Sequence, residues 1–119
     1  MSVAEPLIQA SLIGEAVDNG PSAIFVADEE GRYIAVNAFA CDLLGYTRSE
    51  LLSLTVQDIA PDSDVARSFA KLQREGALAG TSILRHKDGG DVPIEWRATR
   101  TTAAGMEFFV SVANPISSG

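Results

Sequence analysis

Two glycine-containing turns, Asp88-Gly89-Gly90 and Ala104-Gly105, separate three strand-like runs, and this pattern constrains the fold more than any other feature of the chain. The runs span residues 78–87, 92–102 and 106–113. Short glycine turns between apolar and β-branched runs are typical of antiparallel hairpins. We therefore expect three consecutive antiparallel strands in the C-terminal half of the chain.

An earlier segment shows a further hairpin pattern, and a helix precedes it. The apolar run 23–27 is followed by turn residues at 28–31 and then by residues 33–36, which predicts two more antiparallel strands. Residues 4–18 place their apolar side chains within about half of a helical wheel, and Asn19-Gly20-Pro21 ends this leading helix. These patterns divide the chain into a flanking helix at 1–21, a domain at 22–117 and a polar tail at 118–119.

Short helices are predicted after the first hairpin. Asn37 has the position of a cap for a helix that runs through Leu44, and Gly45 suits the left-handed position that ends it. Thr47 and Glu50 have the spacing of a capping box, which opens another short helix. An irregular stretch is expected from there to residue 61.

A longer helix is predicted next, capped by Asp62 or Ser63 and closed by Gly76. Its apolar residues fall on one face of the helix; they are Val65, Phe69 and Leu72. The full order is a helix, two strands, several helices and three strands, which fits an α+β fold built on one antiparallel sheet.

Composition narrows the classes of function. The length of 119 residues matches one domain, and an apolar content of 46% is enough for one core. The net charge of −7 argues against direct nucleic-acid binding, which needs clustered Lys and Arg. We expect no direct membrane contact, because the sequence shows neither a signal-peptide pattern nor a long apolar run. The one cysteine, Cys41, cannot form an internal disulfide, which favours a cytoplasmic location.

Three segments together resemble one known family. The run DEEGRYIAVN at 28–37 is similar to the acidic-glycine turn, strand and strand-ending Asn of PAS domains. The run GYTRSELL at 45–52 resembles the family's GYTxxELL segment, and KDG at 87–89 with VPIE at 92–95 resembles its KDG…VPVE hairpin. The resemblance covers roughly residues 22–117. It implies a five-stranded antiparallel sheet with short helices that cup one face around a small cavity.

One departure from the family concerns the end of the last strand. Where the family often carries Asp-Ile-Thr, which links this strand to an output helix, the chain has Pro115-Ile116-Ser117. Pro115 removes both the carboxylate and a backbone donor. We therefore expect that the route from the sheet to a downstream element is altered or absent.

Strand alternation and the resemblance assign one set of side chains to the inner face of the sheet and to the helices above it. On the strands this set comprises Phe25, Ala27, Leu84, Ile94, Trp96, Phe109 and Ser111. On the helices it comprises Phe39, Leu44, Val65, Phe69 and Leu72. Two interpretations remain open, namely a pocket for a small organic ligand and an ordinary filled core.

The opposite face of the strands is apolar as well, so something is expected to cover it. The leading helix is one candidate cover. The same face of a second copy is another, and it would give a symmetric homodimer. The predicted dimer interface comprises Ile8, Leu12, Ile24, Val26, Phe108 and Val110.

The sequence lacks the patterns of most enzyme classes. It has no Ser-His-Asp set, no metal-spaced His/Cys cluster and no phosphate-binding glycine loop. The remaining alternative is a small acid-base isomerase that uses Asp28, Asp58 or Glu95.

The one histidine, His86, is beside a turn, which argues against haem as a cofactor. The flavin-photosensor motif Asn-Cys-Arg-Phe-Leu-Gln is absent, and Cys41 lies elsewhere, which argues against flavin.

From the sequence we therefore expect a cytoplasmic PAS sensory domain that is not an enzyme. It is expected to bind a small organic ligand and to relay its state through dimerisation to a downstream signalling effector, as in two-component systems and transcription regulators. The alternative is a ligand-free interaction module of a kinase, a cyclase or a transcription regulator. The sequence identifies neither the ligand nor the effector.

Overall fold

The structure is a computed structural model that describes residues 5–60 and 65–116. The elements in chain order are α1 (Glu5–Asp18), β1 (Ala23–Ala27), β2 (Tyr33–Val36), α2 (Ala38–Leu44), α3 (Arg48–Leu51), α4 (Val56–Ile59), α5 (Val65–Glu75), β3 (Ala77–Arg85), β4 (Asp91–Ala103) and β5 (Met106–Pro115). This order confirms the predicted α+β class. The bounds of β1 and β2 agree with the prediction, and the last three strands differ from it by at most two residues at either end.

All five strands form one antiparallel sheet in the order β2-β1-β5-β4-β3. The first and last strands of the chain are therefore neighbours near the centre of the sheet. Phe25 on β1 pairs with Ser111 on β5, Ser111 pairs with Ala98 on β4, and Ala98 pairs with Leu78 on β3. Because side chains in one such row share a face, this row crosses the inner face of the sheet.

Asn37 connects three elements through its side chain. Its Oδ1 accepts hydrogen bonds from the Ile24 N–H at 2.9 Å and the Ala40 N–H at 3.1 Å. Its Nδ2 donates to the carbonyls of Val17 at 2.7 Å and Ser22 at 2.8 Å. The side chain is only 3% exposed, and all four of its hydrogen-bonding positions are used. The predicted helix cap is thus also the joint between α1, β1 and α2.

The short helices begin and end largely where their caps predict. Gly45 follows α2 in the left-handed conformation with φ 77°, and Thr47 and Glu50 form the predicted capping box of α3. The expected irregular stretch contains a one-turn helix, α4, so that part of the prediction is wrong. Its own capping box pairs Thr55 with Asp58, whose carboxylate accepts from the Thr55 N–H at 2.8 Å. The predicted caps of α5, Asp62 and Ser63, lie outside the described residues.

The turn between β3 and β4 docks onto the start of α3. The Lys87 ammonium lies 2.6 Å from a Glu50 carboxylate oxygen, and the Lys87 N–H donates to the Leu44 carbonyl at 2.8 Å. The His86 ring packs over Gly45, where even a Cβ would overlap it. Two of the segments that carry the family resemblance are therefore in direct contact.

The apolar side chains of α1 are exposed rather than packed on the sheet. Leu7, Ile8, Leu12 and Ile13 are all more than half exposed. The helix is held at its C-terminal end, where Asp18 pairs with Arg48 and the Val17 carbonyl accepts from Asn37. Of the two candidate covers for the outer face, the chain's own leading helix is therefore the wrong one.

The half of the outer face on β1 and β5 is apolar. Ile24 pairs with Val112 and Val26 pairs with Val110, so four aliphatic side chains lie together on β1 and β5. These side chains are partly exposed, and Val112 is 37% exposed.

The last strand continues through Pro115, and beyond it the Ile116 N–H still donates to the Pro93 carbonyl at 3.0 Å. Pro115 therefore does not end the contact between β5 and β4.

Candidate ligand-binding cavity

A cavity of about 370 Å³ lies between the inner face of the sheet and the helices α4 and α5. Its floor is formed by inner-face side chains of β1, β3, β4 and β5, and its roof by α4 and α5. Lys71 on α5 and Thr81 on β3 are exposed and also line the cavity. The cavity therefore opens to solvent between α5 and the edge strand β3.

Most of the side chains predicted for the inner set line this cavity. They are Phe25, Ala27, Phe69, Leu72, Leu84, Ile94, Trp96, Phe109 and Ser111. The sheet brings these residues together because they alternate along neighbouring strands in register. The Val65 side chain lies outside the described residues.

Phe39 and Leu44 do not line the cavity, so their predicted place in its wall is wrong. Both belong to α2, which packs against β1 in the main core. Leu44 is fully buried there, and Phe39 is partly buried against the same core. The cavity lies under α4 and α5 instead, because these two helices span the part of the inner face that α2 leaves uncovered.

Several lining residues were not predicted. Five of the strand residues among them share the inner parity, so alternation from Leu84, Trp96 and Phe109 would have found them; they are Leu78, Gly80, Ser82, Ala98 and Ala113. Ala79 and Thr81 have the opposite parity and line the cavity at the edge strand β3. Val56, Ile59 and Ala60 line the cavity through α4, which the sequence did not indicate as a helix. Tyr33 enters the wall because an irregularity in the β1–β2 ladder pairs it with Ala27.

Aromatic rings form much of the lining. Phe69 on α5 meets Phe109 on β5 edge to face, with ring centroids 5.0 Å apart at 62°. Phe25 and Tyr33 are 5.4 Å apart. The Trp96 indole lies across Gly80, where an added Cβ would be 3.3 Å from the ring, and its N–H donates to the Ser82 hydroxyl at 2.8 Å. These contacts fix the orientation of the indole over the edge strand.

Ionisable side chains are scarce in the cavity. Burial, with a smaller contribution from the nearby Asp58 carboxylate, raises the pKa of the Tyr33 hydroxyl, which therefore stays protonated near neutral pH. Lys71 is the one residue of the lining, within the described parts of the chain, that belongs to the Lys, Arg, Asp and Glu types. Its side chain is half exposed and lies 3.9 Å from Glu75.

The three carboxylates considered for acid-base chemistry lie elsewhere. Burial is the largest single effect on Asp28 and opposes its ionisation, but hydrogen bonds from the backbone N–H groups of Arg32 and Glu30 and from the Arg32 guanidinium together hold its pKa below the usual value. Asp58 is held by Thr55 in the capping box, and Glu95 is exposed on the opposite parity of β4. None of these groups lines the cavity. The geometry does not support the isomerase alternative.

The candidate cofactor residues are also outside the cavity. His86 lies in the β3–β4 turn, and its Nδ1 is 3.0 Å from an Asp88 carboxylate oxygen. Cys41 is partly buried in α2, and burial raises the pKa of its thiol despite the opposing effect of Arg48. Among residues 5–60 and 65–116, no three His, Cys, Asp or Glu side chains converge as metal ligands would.

In the same ranges no helix has both the length and the apolar character that a membrane span needs.

Comparison with known proteins identifies one family. A family model described as the PAS fold matches residues 17–113. A curated relative, the methyl sulfide methyltransferase-associated sensor of Methanosarcina acetivorans, is 26% identical over 103 residues. The match covers 83% of this chain and 10% of that protein, so the chain spans about a tenth of the length of the relative.

Solved structures agree with this fold. A PAS domain from a two-component sensor histidine kinase superposes with a TM-score of 0.84 at 18% identity, covering 94% of this chain and 100% of that one. A domain of a sensory box sensor histidine kinase/response regulator from Geobacter sulfurreducens gives a TM-score of 0.79 at 25% identity, covering 93% and 98%. The five-stranded sheet and its helices are therefore an arrangement that known domains share.

Proposed function

Because this chain belongs to the PAS-fold family, we propose that it is the sensory domain of a signalling protein and that its cavity binds a small organic ligand. The observation that carries the proposal is the cavity of about 370 Å³ on the inner face of the sheet. A filled core at this position would leave no such volume, since protein interiors are close-packed.

The size and lining of the cavity support a small-molecule site. Ligand pockets commonly have volumes of about 300–1,000 Å³, with mainly apolar and aromatic walls and a few polar groups. This cavity has aromatic walls from Phe69, Phe109 and Trp96, and polar groups from Tyr33 and Ser111. The opening between α5 and β3 supplies an entry path.

We further propose that the domain works as a cytoplasmic homodimer and passes its state to a downstream effector. The supporting observation is the partly exposed apolar half of the outer face on β1 and β5, together with the exposed side chains Ile8 and Leu12 of α1. The curated relative is named a sensor, and one of the similar structures comes from a two-component sensor histidine kinase. A sensor kinase is therefore the effector class that we favour.

Native mass spectrometry of the freshly purified chain, with an absorption scan of the same sample, tests both parts of the proposal. We expect a dimer that carries additional non-covalent mass. A dimer without additional mass, and without mass gained in a screen of small organic compounds, contradicts the sensory proposal. That result would favour an interaction module that uses the outer face.

Two neighbouring substitutions supply a matched control. Ser111→Leu points a larger side chain into the cavity, whereas Val112→Leu enlarges the next residue on the opposite face. We expect the first variant to lose the bound mass and the second to keep it. Bound mass that survives Ser111→Leu indicates that the ligand lies outside the cavity.

A further inference from the structure

The Tyr33 side chain lines the cavity, and its hydroxyl makes no hydrogen bond to the described residues. Tyr33 is 7% exposed and packs beside Phe25. Among the described residues no buried side-chain oxygen or nitrogen lacks a partner, so water reaches this hydroxyl and serves as its acceptor. The raised pKa of Tyr33 keeps the group protonated, so it is available as a donor. An acceptor oxygen of a ligand in the cavity would replace this water.

The remaining polar groups of the cavity do not favour a charged occupant. The Ser82 hydroxyl already accepts from the Trp96 indole N–H. Among the described residues no carboxylate lines the cavity, and its one ammonium, on Lys71, is at the exposed rim beside Glu75. An ion in the interior would lose its hydration without gaining a counter-charge, which is strongly unfavourable.

We propose that the cavity selects an uncharged ligand with a carbonyl or similar oxygen acceptor, that the Tyr33 hydroxyl donates to this oxygen, and that the apolar body packs against Phe69 and Phe109. This proposal rests on the proposed function and names the ligand class of the same cavity. At roughly 30 Å³ per water molecule the cavity has room for about a dozen waters, which corresponds to a ligand of roughly ten to fifteen non-hydrogen atoms.

Three probes of nearly equal size and shape test the proposal. Acetophenone carries a carbonyl acceptor, cumene has an apolar group in its place, and benzoate carries a negative charge. Binding to the wild-type chain is followed through the fluorescence of Trp96, which lines the cavity and is the one tryptophan of the sequence. We expect acetophenone to bind several-fold more tightly than cumene, and benzoate to bind at least about tenfold more weakly than acetophenone.

A matched pair of variants isolates the hydroxyl. Tyr33→Phe removes the donor and keeps the ring, and it should weaken acetophenone binding by about tenfold without changing the affinity for cumene. Tyr46→Phe makes the same change at the other tyrosine, which does not line the cavity, and should affect neither probe. The carbonyl stretching frequency of bound acetophenone should be lower in the wild-type complex than in the Tyr33→Phe complex.

The outcomes separate this proposal from the proposed function. Equal acetophenone affinity in the wild-type chain and Tyr33→Phe, with no difference in carbonyl frequency, overturns the role of Tyr33. Benzoate binding as tight as that of acetophenone overturns the preference for an uncharged ligand. In both cases cumene binding still supports a ligand cavity. If none of the three probes binds, the proposed function fails together with the inference.

Discussion

The Lys87 ammonium lies 2.6 Å from a Glu50 carboxylate oxygen, and this pair joins the β3–β4 turn to the first turn of α3. The same carboxylate group accepts from the Thr47 N–H at 2.8 Å through its other oxygen. One side chain thus closes the capping box and holds the hairpin. The Lys87 hydrogen bond, followed by the Thr47 backbone bond, lowers the pKa of Glu50.

The first prediction is a dependence of stability on pH that can be assigned to Glu50. Because its pKa is lowered in the folded state, its contribution to stability is present above the ordinary value of 4.5 and is lost as pH falls through the folded value. The melting temperature of Glu50→Gln should therefore fall less steeply on acidification from pH 5 to pH 3 than that of the wild-type chain. Parallel curves from thermal unfolding would contradict this assignment.

The second prediction concerns the packing of His86 over Gly45. Gly45 and Gly105 have nearly equal φ angles of 77° and 76°, but a Cβ at Gly105 meets nothing within 4 Å. Both substitutions to alanine should cost about 1–2 kcal/mol of backbone strain. Gly45→Ala should cost about 1–3 kcal/mol more, because the His86 ring must move.

Denaturant unfolding of the two glycine variants measures this difference. In a His86→Ala background the extra cost of Gly45→Ala should largely disappear. A difference that persists without the His86 ring would assign the effect to the backbone of the α2–α3 junction instead.

The third prediction compares the two rings of the edge-to-face pair formed by Phe69 on α5 and Phe109 on β5. Phe109 is 2% exposed, so Phe109→Ala should destabilise the fold by about 3–5 kcal/mol. Phe69 is partly exposed and already borders the cavity, so Phe69→Ala should cost less, about 2 kcal/mol. Urea unfolding of both variants tests the order, and a larger cost for Phe69→Ala would contradict the packing described for the cavity roof.

The fourth prediction concerns dimerisation through the apolar half of the outer face. Val112→Glu introduces a charge beside Ile24, and it should shift the chain from dimer to monomer, because an unpaired charge in an interface is costly. Ile83→Glu makes a similar change at an exposed position on the edge strand β3, outside the predicted interface, and should leave the dimer intact. Light scattering coupled to size-exclusion chromatography measures the mass. A wild-type monomer, or equal masses for both variants, would contradict the proposed interface.

Local signals in the sequence were sufficient to predict most of the helices, strands and turns of the fold. The hairpins around Gly31 and Gly89, and the caps at Asn37 and Thr47, depend on neighbouring residues and were predicted correctly. The one-turn helix α4 was missed because its capping box uses Asp58, whereas the usual pattern has Glu or Gln at that position.

The wall of the cavity could be predicted where it follows strand alternation or, for Phe69 and Leu72, the apolar face of α5. Phe109 and Ser111 have the expected parity, and so does Ser82, which the same rule would have found. The presence of Tyr33 in the wall depends on an irregularity in the β1–β2 ladder. The absence of Phe39 and Leu44 from the wall depends on which part of the sheet α2 covers. Both features are set by tertiary packing, so no local pattern reports them.

The four hydrogen bonds of Asn37 have a mechanical consequence for α1. Among the described residues, hydrogen bonds and an ion pair hold the helix at Val17 and Asp18, while the side chains from Leu7 to Val17 are exposed. With 14 residues at about 1.5 Å each it is about 20 Å long. A tilt of roughly five degrees at the anchored end displaces the far end by about 2 Å. Because Asn37 bonds to both β1 and α1, a small shift of β1 would produce a larger displacement at the N-terminal end of α1.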